Sequence, residues 1–171
     1  MCLRNVYGSL YYLPENSKLS VDDMPSLQTP IDNSLGLVRE NEHFTYFWAC
    51  NISHGGETIN VAPKAKLDDG FCDLIKMKNS AGKKNLLMQL FNQDTGDYYD
   101  HIGDIKMGCG LEYVKTKFWR LIPKNNLTED DDSTVNRNLP RFYSIDGERY
   151  PVEPIQGKTL RRSLRIFCFN K

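Results

Sequence analysis

The residues best suited to chemistry are a pair of acids across a tight turn, Asp146-Gly147-Glu148, in the stretch YSIDGERYP. Two carboxylates flanking one glycine can bring their oxygens to a single cation or a single ribose. The same pattern also suits a plain surface hairpin, since Asp-Gly is favoured where a two-residue turn requires positive φ. A second acidic turn, Asp68-Asp69-Gly70, precedes an apolar segment. There the ordinary reading is structural, with the aspartate side chain bonding its own backbone.

Other chemistry-bearing residues carry weaker signals. His43, His54 and His101 lack metal-ligand spacing, and Cys109 has no identifiable partner, so all four are expected to be structural. The run Glu129-Asp130-Asp131-Asp132 lacks the ligand spacing of a cation loop and is expected to be a solvated surface. No dedicated metal site is expected. Arg161, Arg162 and Arg165 form a basic cluster that suits either a solvated strand edge or acidic lipid headgroups at a membrane periphery.

The elements that must position these groups are mostly strands. Tyr7 to Pro14, Phe44 to Ile52, Ile59 to Val61, Phe71 to Met77 and Ser163 to Phe169 each read as strands bounded by turn formers. Leu111 to Ile122 reads as one long strand, with Tyr113, Lys115, Lys117 and Trp119 on one face. Phe142 to Ile145 and Glu148 to Val152 form the hairpin around Asp146-Gly147. The one helix runs from Ser80 to about Gln93, where Leu86, Leu87, Leu90 and Phe91 recur at spacings of 3 and 4. Its stripe either packs on the sheet or lines a dry slot for a lipid tail. In the second case Leu87, Leu90 and Phe91 supply the wall, with Cys72 and Leu74 on the neighbouring strand. Residues 19–42 read as a variable loop and 124–140 as an acidic surface loop. Together these elements predict a mainly β protein, an antiparallel β-sandwich with a helical insertion. A half-barrel with the helix across its mouth is the alternative.

Composition narrows the class. The chain has 171 residues, 40% apolar and 26% charged, with zero formal net charge. A chain of this length hides roughly 70% of its unfolded surface on folding, enough for one solid core. Residues 1–171 are therefore expected to form a single domain. Neutrality argues against a nucleic-acid partner, which calls for a basic surplus. The five cysteines are odd in number and widely spaced, which fits a reducing, cytoplasmic compartment better than a disulfide scaffold. No run approaches 18 apolar residues, and MCLRNVYGSL lacks a signal-peptide core.

Five segments, taken in order, resemble a known family: YGSLYYLP, PKAKLDDG, KKNLLMQLF, FWRLIP and YSIDGERYP. The chain resembles the C-terminal domain of the diacylglycerol kinase-like lipid kinases, most closely the sphingosine kinases, over about residues 6 to 169. The preceding Ser53-His54-Gly55-Gly56 fits the same pattern. The resemblance implies that Asp146, Gly147 and Glu148 reach towards the nucleotide site of the complete enzyme, near Mg²⁺ and the ATP phosphates. It also implies that the Leu-Phe helix contacts a sphingoid base or similar long-chain lipid. The chain departs from the pattern after Phe91, where Asn92, Gln93 and Asp94 replace apolar residues, so the helix is shorter or the pocket different.

The family's G-G-D-G motif, whose aspartate acts on the lipid hydroxyl, does not occur in this chain, and the acid that holds the sphingoid amino group is also missing. The resemblance implies that Met1 falls in the middle of an ancestral gene product, and the expected partner that completes the site is the N-terminal kinase domain. The expected ancestral reaction is transfer of the ATP γ-phosphate to the primary hydroxyl of a sphingoid base. The chain is expected to be inactive alone and to hold neither ATP nor Mg²⁺ tightly. The alternatives are a non-catalytic module that binds lipid or pairs with a kinase chain, or a fragment of a diacylglycerol or ceramide kinase-like enzyme.

Overall fold

The computed structural model describes residues 6–79, 111–124 and 142–160, together with helical residues 82, 84 and 87. Its elements are β1 (Val6–Tyr12), a 3-10 turn (Asn33–Leu35), β2 (Val38–Cys50), β3 (Cys72–Lys78), β4 (Leu111–Thr116), β5 (Phe118–Pro123), β6 (Phe142–Ile145), β7 (Glu148–Pro151) and β8 (Ile155–Lys158). Among the described residues every strand pairing is antiparallel. The mainly β, antiparallel character anticipated from the sequence is what the structure shows.

Six strands form one hydrogen-bonded sheet in the order β4-β3-β2-β1-β5-β8, and β6-β7 stand as a separate pair. The order dictates the shape. β4 is first in the row and β5 fifth, yet only Lys117 separates them. Four steps of about 4.8 Å would put them about 19 Å apart in a flat sheet. Two residues reach at most about 7 Å. The sheet therefore curls until β4 and β5 become two halves of one bent strand. β2 bends to match: residues 38–44 pair with β1 and residues 44–50 with β3, with a register shift between Phe44 and Tyr46.

The bend at Lys117 corrects the expectation of one long strand from Leu111 to Ile122. Thr116 makes it. Its hydroxyl lies 2.8 Å from the Leu13 carbonyl and 2.7 Å from that of Phe118, and it accepts from the Phe118 amide at 3.2 Å. The extra residue also inverts the alternation. Val114 and Trp119 both pack on the inner core, although an unbroken strand would put them on opposite faces.

The inner core takes Val6, Leu10, Phe44, Phe47, Cys72, Leu74, Trp119, Leu121 and Tyr143. The outer face of β2, β3 and β4 carries Tyr46, Ile75, Met77 and Leu111, covered by Ala62 and Ala65 of the connection between β2 and β3. With apolar cover on both sides, β3 is buried at every position from Cys72 to Met77, as its unalternating sequence requires. Gly157 of β8 lies opposite Trp119, whose indole occupies the space a Cβ would need.

Other boundaries differ from the sequence reading. The brief strand at Ile59 to Val61 reduces to a single bridge, His54 to Asn60, inside a loop closed by Gly55 N–H to Ile59 C=O and Ala62 N–H to Ser53 C=O, both 2.9 Å. β2 begins at Val38, so residues 38–42 belong to a strand rather than to a loop. β8 has no counterpart in the sequence reading, because IQGK has little apolar content. Residues 82, 84 and 87 are helical, as anticipated for that stretch. The strand at Ser163 to Phe169, the basic cluster Arg161, Arg162 and Arg165, most of the acidic loop 124–140, His101 and Cys109 lie outside the described residues.

Candidate functional site

The hairpin holding Asp146 and Glu148 forms as anticipated. Asp146 and Gly147 have φ of 49° and 89°, both in the left-handed region that a two-residue turn with matched strand twist requires. β6 and β7 pair from Ile145 with Glu148 to Phe142 with Pro151. One face of the hairpin is anchored: Tyr143 is 1% exposed in the inner core and donates its hydroxyl to the Glu153 carbonyl at 3.0 Å. Ile145 and Val152 pack beside it. The tip and all of β7 are exposed. Tyr150 donates to Glu148 Oε2 at 2.8 Å, and that bond, helped by slight desolvation and the Asp146 charge, raises the phenol's pKa. Arg149 lies over the Phe142 ring at 4.7 Å.

The geometry is thus a rigidly rooted turn presenting two carboxylates and a phenol to solvent. It can contribute oxygen ligands to a hard cation. It cannot enclose one by itself. Among the described residues no three His, Cys, Asp or Glu side chains converge on a metal position.

The residues expected to contact lipid divide. Leu87 is helical and 55% exposed. Leu90 and Phe91 lie outside the described residues. Cys72 and Leu74 are buried in the inner core with Phe47 and Trp119. Burial pushes the Cys72 thiol up to about 12 and the Cys50 thiol up to about 11, which keeps both unreactive. His43 stacks on Tyr7 at 4.4 Å, and the His54 ring pairs with the Ser53 hydroxyl at 2.8 Å.

The second acidic turn proves less simple than its sequence. Asp69 Oδ1 accepts from the Phe71 amide at 2.9 Å, the local bond expected of such a turn. Its other oxygen accepts from Lys115 at 2.7 Å, and Lys115 also reaches the fully buried Asp73 at 3.1 Å. Tyr113 donates to Asp73 at 2.6 Å. Burial opposes the Asp69 charge, but the bonds from Lys115 and Phe71 outweigh it and hold the carboxyl below its ordinary range. At Asp73 burial prevails over the same kind of bonds and raises the pKa. Sequence reasoning missed Asp73 and Lys115 as a pair. The available signal was a charged residue within an otherwise apolar buried strand.

A second buried cation shows the same economy of pairing. Lys76, with no exposed surface, meets Glu40 at 2.5 Å and Glu112 at 2.6 Å. Tyr12 donates to Glu40 at 3.0 Å. Both clusters tie neighbouring strands of the sheet together through residues far apart in sequence.

A cleft of about 280 Å³ opens between residues 19–21, 69–71, Lys117 and Thr159. Thr159 Oγ1 lies 2.8 Å from the Gly70 carbonyl, and Arg120 binds the carbonyls of Pro25, Ser26 and Thr29 at 3.1, 2.7 and 2.7 Å.

No family model matches the chain. It is similar to Sphingoid long chain base kinase 4 of Schizosaccharomyces pombe, 28% identical over 154 residues that make up 90% of this chain and 29% of that protein. It is also similar to Sphingosine kinase 1 of Arabidopsis thaliana, 28% identical over 153 residues, 79% of this chain and 30% of that protein. The chain spans under a third of the length of these curated relatives.

Proposed function

We propose that this chain, related at low identity to sphingosine kinase-like proteins, serves as the C-terminal portion of an ATP-dependent sphingoid-base kinase. In that enzyme the γ-phosphate of ATP passes to the primary hydroxyl of a long-chain base. The observation that carries the reading is the rooted hairpin, whose Asp146 and Glu148 project from a fixed turn on a chain aligned with two such kinases. Asp146 and Glu148 would share a bound Mg²⁺ with the nucleotide phosphates, and the metal would neutralise phosphate charge during transfer. Gly147, without a side chain, lets the phosphates approach the turn closely. Tyr150 steadies the Glu148 carboxylate through its hydroxyl bond. The remaining catalytic groups come from a domain with the G-G-D-G motif, so the 171 residues alone have no kinase activity. Transfer requires both reactants held within a few ångströms.

The test is a chimera in which this chain replaces the aligned segment of the fission-yeast kinase. ATP-dependent phosphorylation of sphingosine by the chimera is expected, as is a fall of at least about 100-fold on Asp146→Asn with Glu148→Gln. A folded chimera that is active and indifferent to both substitutions would remove the hairpin from the nucleotide site. A folded chimera that binds sphingosine but never phosphorylates it would favour a non-catalytic lipid-binding module.

A further inference from the structure

Strand β2 sorts its charged residues by face. In the run Arg39-Glu40-Asn41-Glu42-His43 successive side chains alternate sides. Glu40 and Glu42 lie on the side of Leu10 and the inner core, where they meet Lys76 and Lys78. Arg39, Asn41 and His43 are all exposed on the opposite side. The neighbouring strands continue that outer face. Tyr7, Ser9 and Tyr11 of β1 stand opposite His43, Asn41 and Arg39, and Lys124, just past β5, stands beside Tyr7 through its amide bond to the Tyr7 carbonyl at 2.8 Å. Among the described residues, no carboxylate belongs to this side of β1, of β5 or of residues 38–44 of β2.

The cations on this face are backed by rings instead of acids. The Lys124 ammonium lies 5.3 Å from the centre of the Tyr7 ring, whose other cross-strand neighbour, His43, stacks on it at 4.4 Å. The Arg39 guanidinium lies 5.5 Å from the centre of the Tyr11 ring. Neither cation forms an ion pair among the described residues. Between the two couples Ser9 donates to Asn41 Oδ1 at 2.6 Å, which occupies that oxygen and leaves the amide nitrogen as donor. Tyr7 and Tyr11 are four residues apart on one strand, so the couples stand about 13 Å apart.

This arrangement selects a class of ligand. Two cations without carboxylate partners on one face of a chain with zero formal net charge favour an anion. Base stacking needs an open ring face, whereas Tyr7 is flanked by His43 and Lys124 and Tyr11 by Arg39. Entry into a bilayer needs apolar tips, and none of the large apolar side chains that stand exposed belongs to this face. What is left is positive charge at a fixed separation along a strand. In an extended peptide, residues four apart point the same way and are also about 13 Å apart.

We propose that the outer face of β1, β2 and β5 docks an extended acidic peptide segment of a partner protein. Two of its carboxylates, four residues apart, meet Arg39 and Lys124, and the Asn41 amide donates to its backbone between them. The surface shares no residue with the hairpin and does not depend on the kinase reading.

The test is fluorescence anisotropy of the full 171-residue chain with a labelled peptide of alternating Thr and Val carrying two Glu four residues apart. Saturable binding that weakens as salt is raised is expected. Arg39→Gln and Lys124→Gln should each weaken it about fivefold, the upper end for an exposed ion pair, with thermal unfolding as in the parent. A peptide with its two Glu three residues apart, which puts them on opposite faces, should bind several-fold less well. Asp146→Asn with Glu148→Gln should leave binding unaltered, which separates this inference from the kinase reading. No binding by folded chain, equal binding of the two spacings or of a Gln-substituted peptide, or indifference to both cation changes would overturn it. Oligothymidine or phosphatidylserine vesicles that displace the peptide at lower concentration through Arg39 and Lys124 would also overturn it, in favour of a nucleic acid or a membrane.

Discussion

At the scale of single residues, the decisive chemistry lies in how buried charges are matched. Lys115 serves two carboxylates, one of them wholly inaccessible to water. Removing one partner from such a set leaves a charge that neither water nor protein can solvate well, and that is costlier than the pair is beneficial. Lys115→Met should lower unfolding free energy in urea by about 3 kcal/mol. A loss below about 1 kcal/mol would show that Tyr113 alone satisfies Asp73.

The pH dependence has a definite sign. The two carboxylates outweigh desolvation and raise the Lys115 pKa in the folded state. Its contribution is fully present below the unfolded lysine value of about 10.4 and is lost as pH rises through the higher folded value. The stability gap between parent and Lys115→Met should therefore stay constant from neutral pH to about pH 10 and close above it. A gap that persists at higher pH would mean the ammonium is not what the lysine contributes.

At the scale of elements, two devices set the surface. The first is the hairpin turn. With Gly147 at φ 89°, adding a Cβ meets no neighbouring atom but strains the backbone. Gly147→Ala should cost about 1 kcal/mol in thermal unfolding while leaving the inner core packed. A cost near zero would show that the turn adopts another conformation in solution. The second is the clamp of β5 on the segment between β1 and β2. Arg120, 2% exposed, satisfies three backbone carbonyls of that segment and the Gln156 side chain. Arg120→Met should destabilise by about 3 kcal/mol and open a protease cut within residues 19–37. Loss of stability without new cleavage would place the role of Arg120 in β5 and β8 alone.

At the scale of the molecule, the curled sheet makes distant strands interdependent. β1 holds both β2 and β5, and the inner core draws on β1, β2, β3, β5 and β6 together. None of these five strands can leave without exposing that core. Urea unfolding followed by Trp fluorescence and far-UV circular dichroism should give coincident single transitions. Refolding should take roughly milliseconds to seconds, because the ladders between β1 and β5 and between β3 and β4 join residues far apart in sequence. An early, separate fluorescence transition would show that β6 and β7 detach as a unit.

Several features were legible without coordinates. The Asp146-Gly147 hairpin was, because positive φ at two successive positions has a narrow residue preference. The buried β3 was too, since a strand covered on both faces drops its alternation. The kinship with sphingoid-base kinases was carried by five ordered motifs, and the comparisons support it at the level of a relationship.

Tertiary structure decided the rest. The break at Lys117 follows from closing a sheet whose first and fifth strands share one residue between them, a constraint absent from the local sequence LEYVKTKFWRLI. That break carries Trp119 into the core and Arg120 onto the adjoining loop. Asp73 and Lys115 meet only because β3 and β4 pair in one register. The cleft at Lys117 likewise exists only after four separate segments converge. Local pattern records which backbone conformations and which faces a segment favours. Which charges meet depends on strand order.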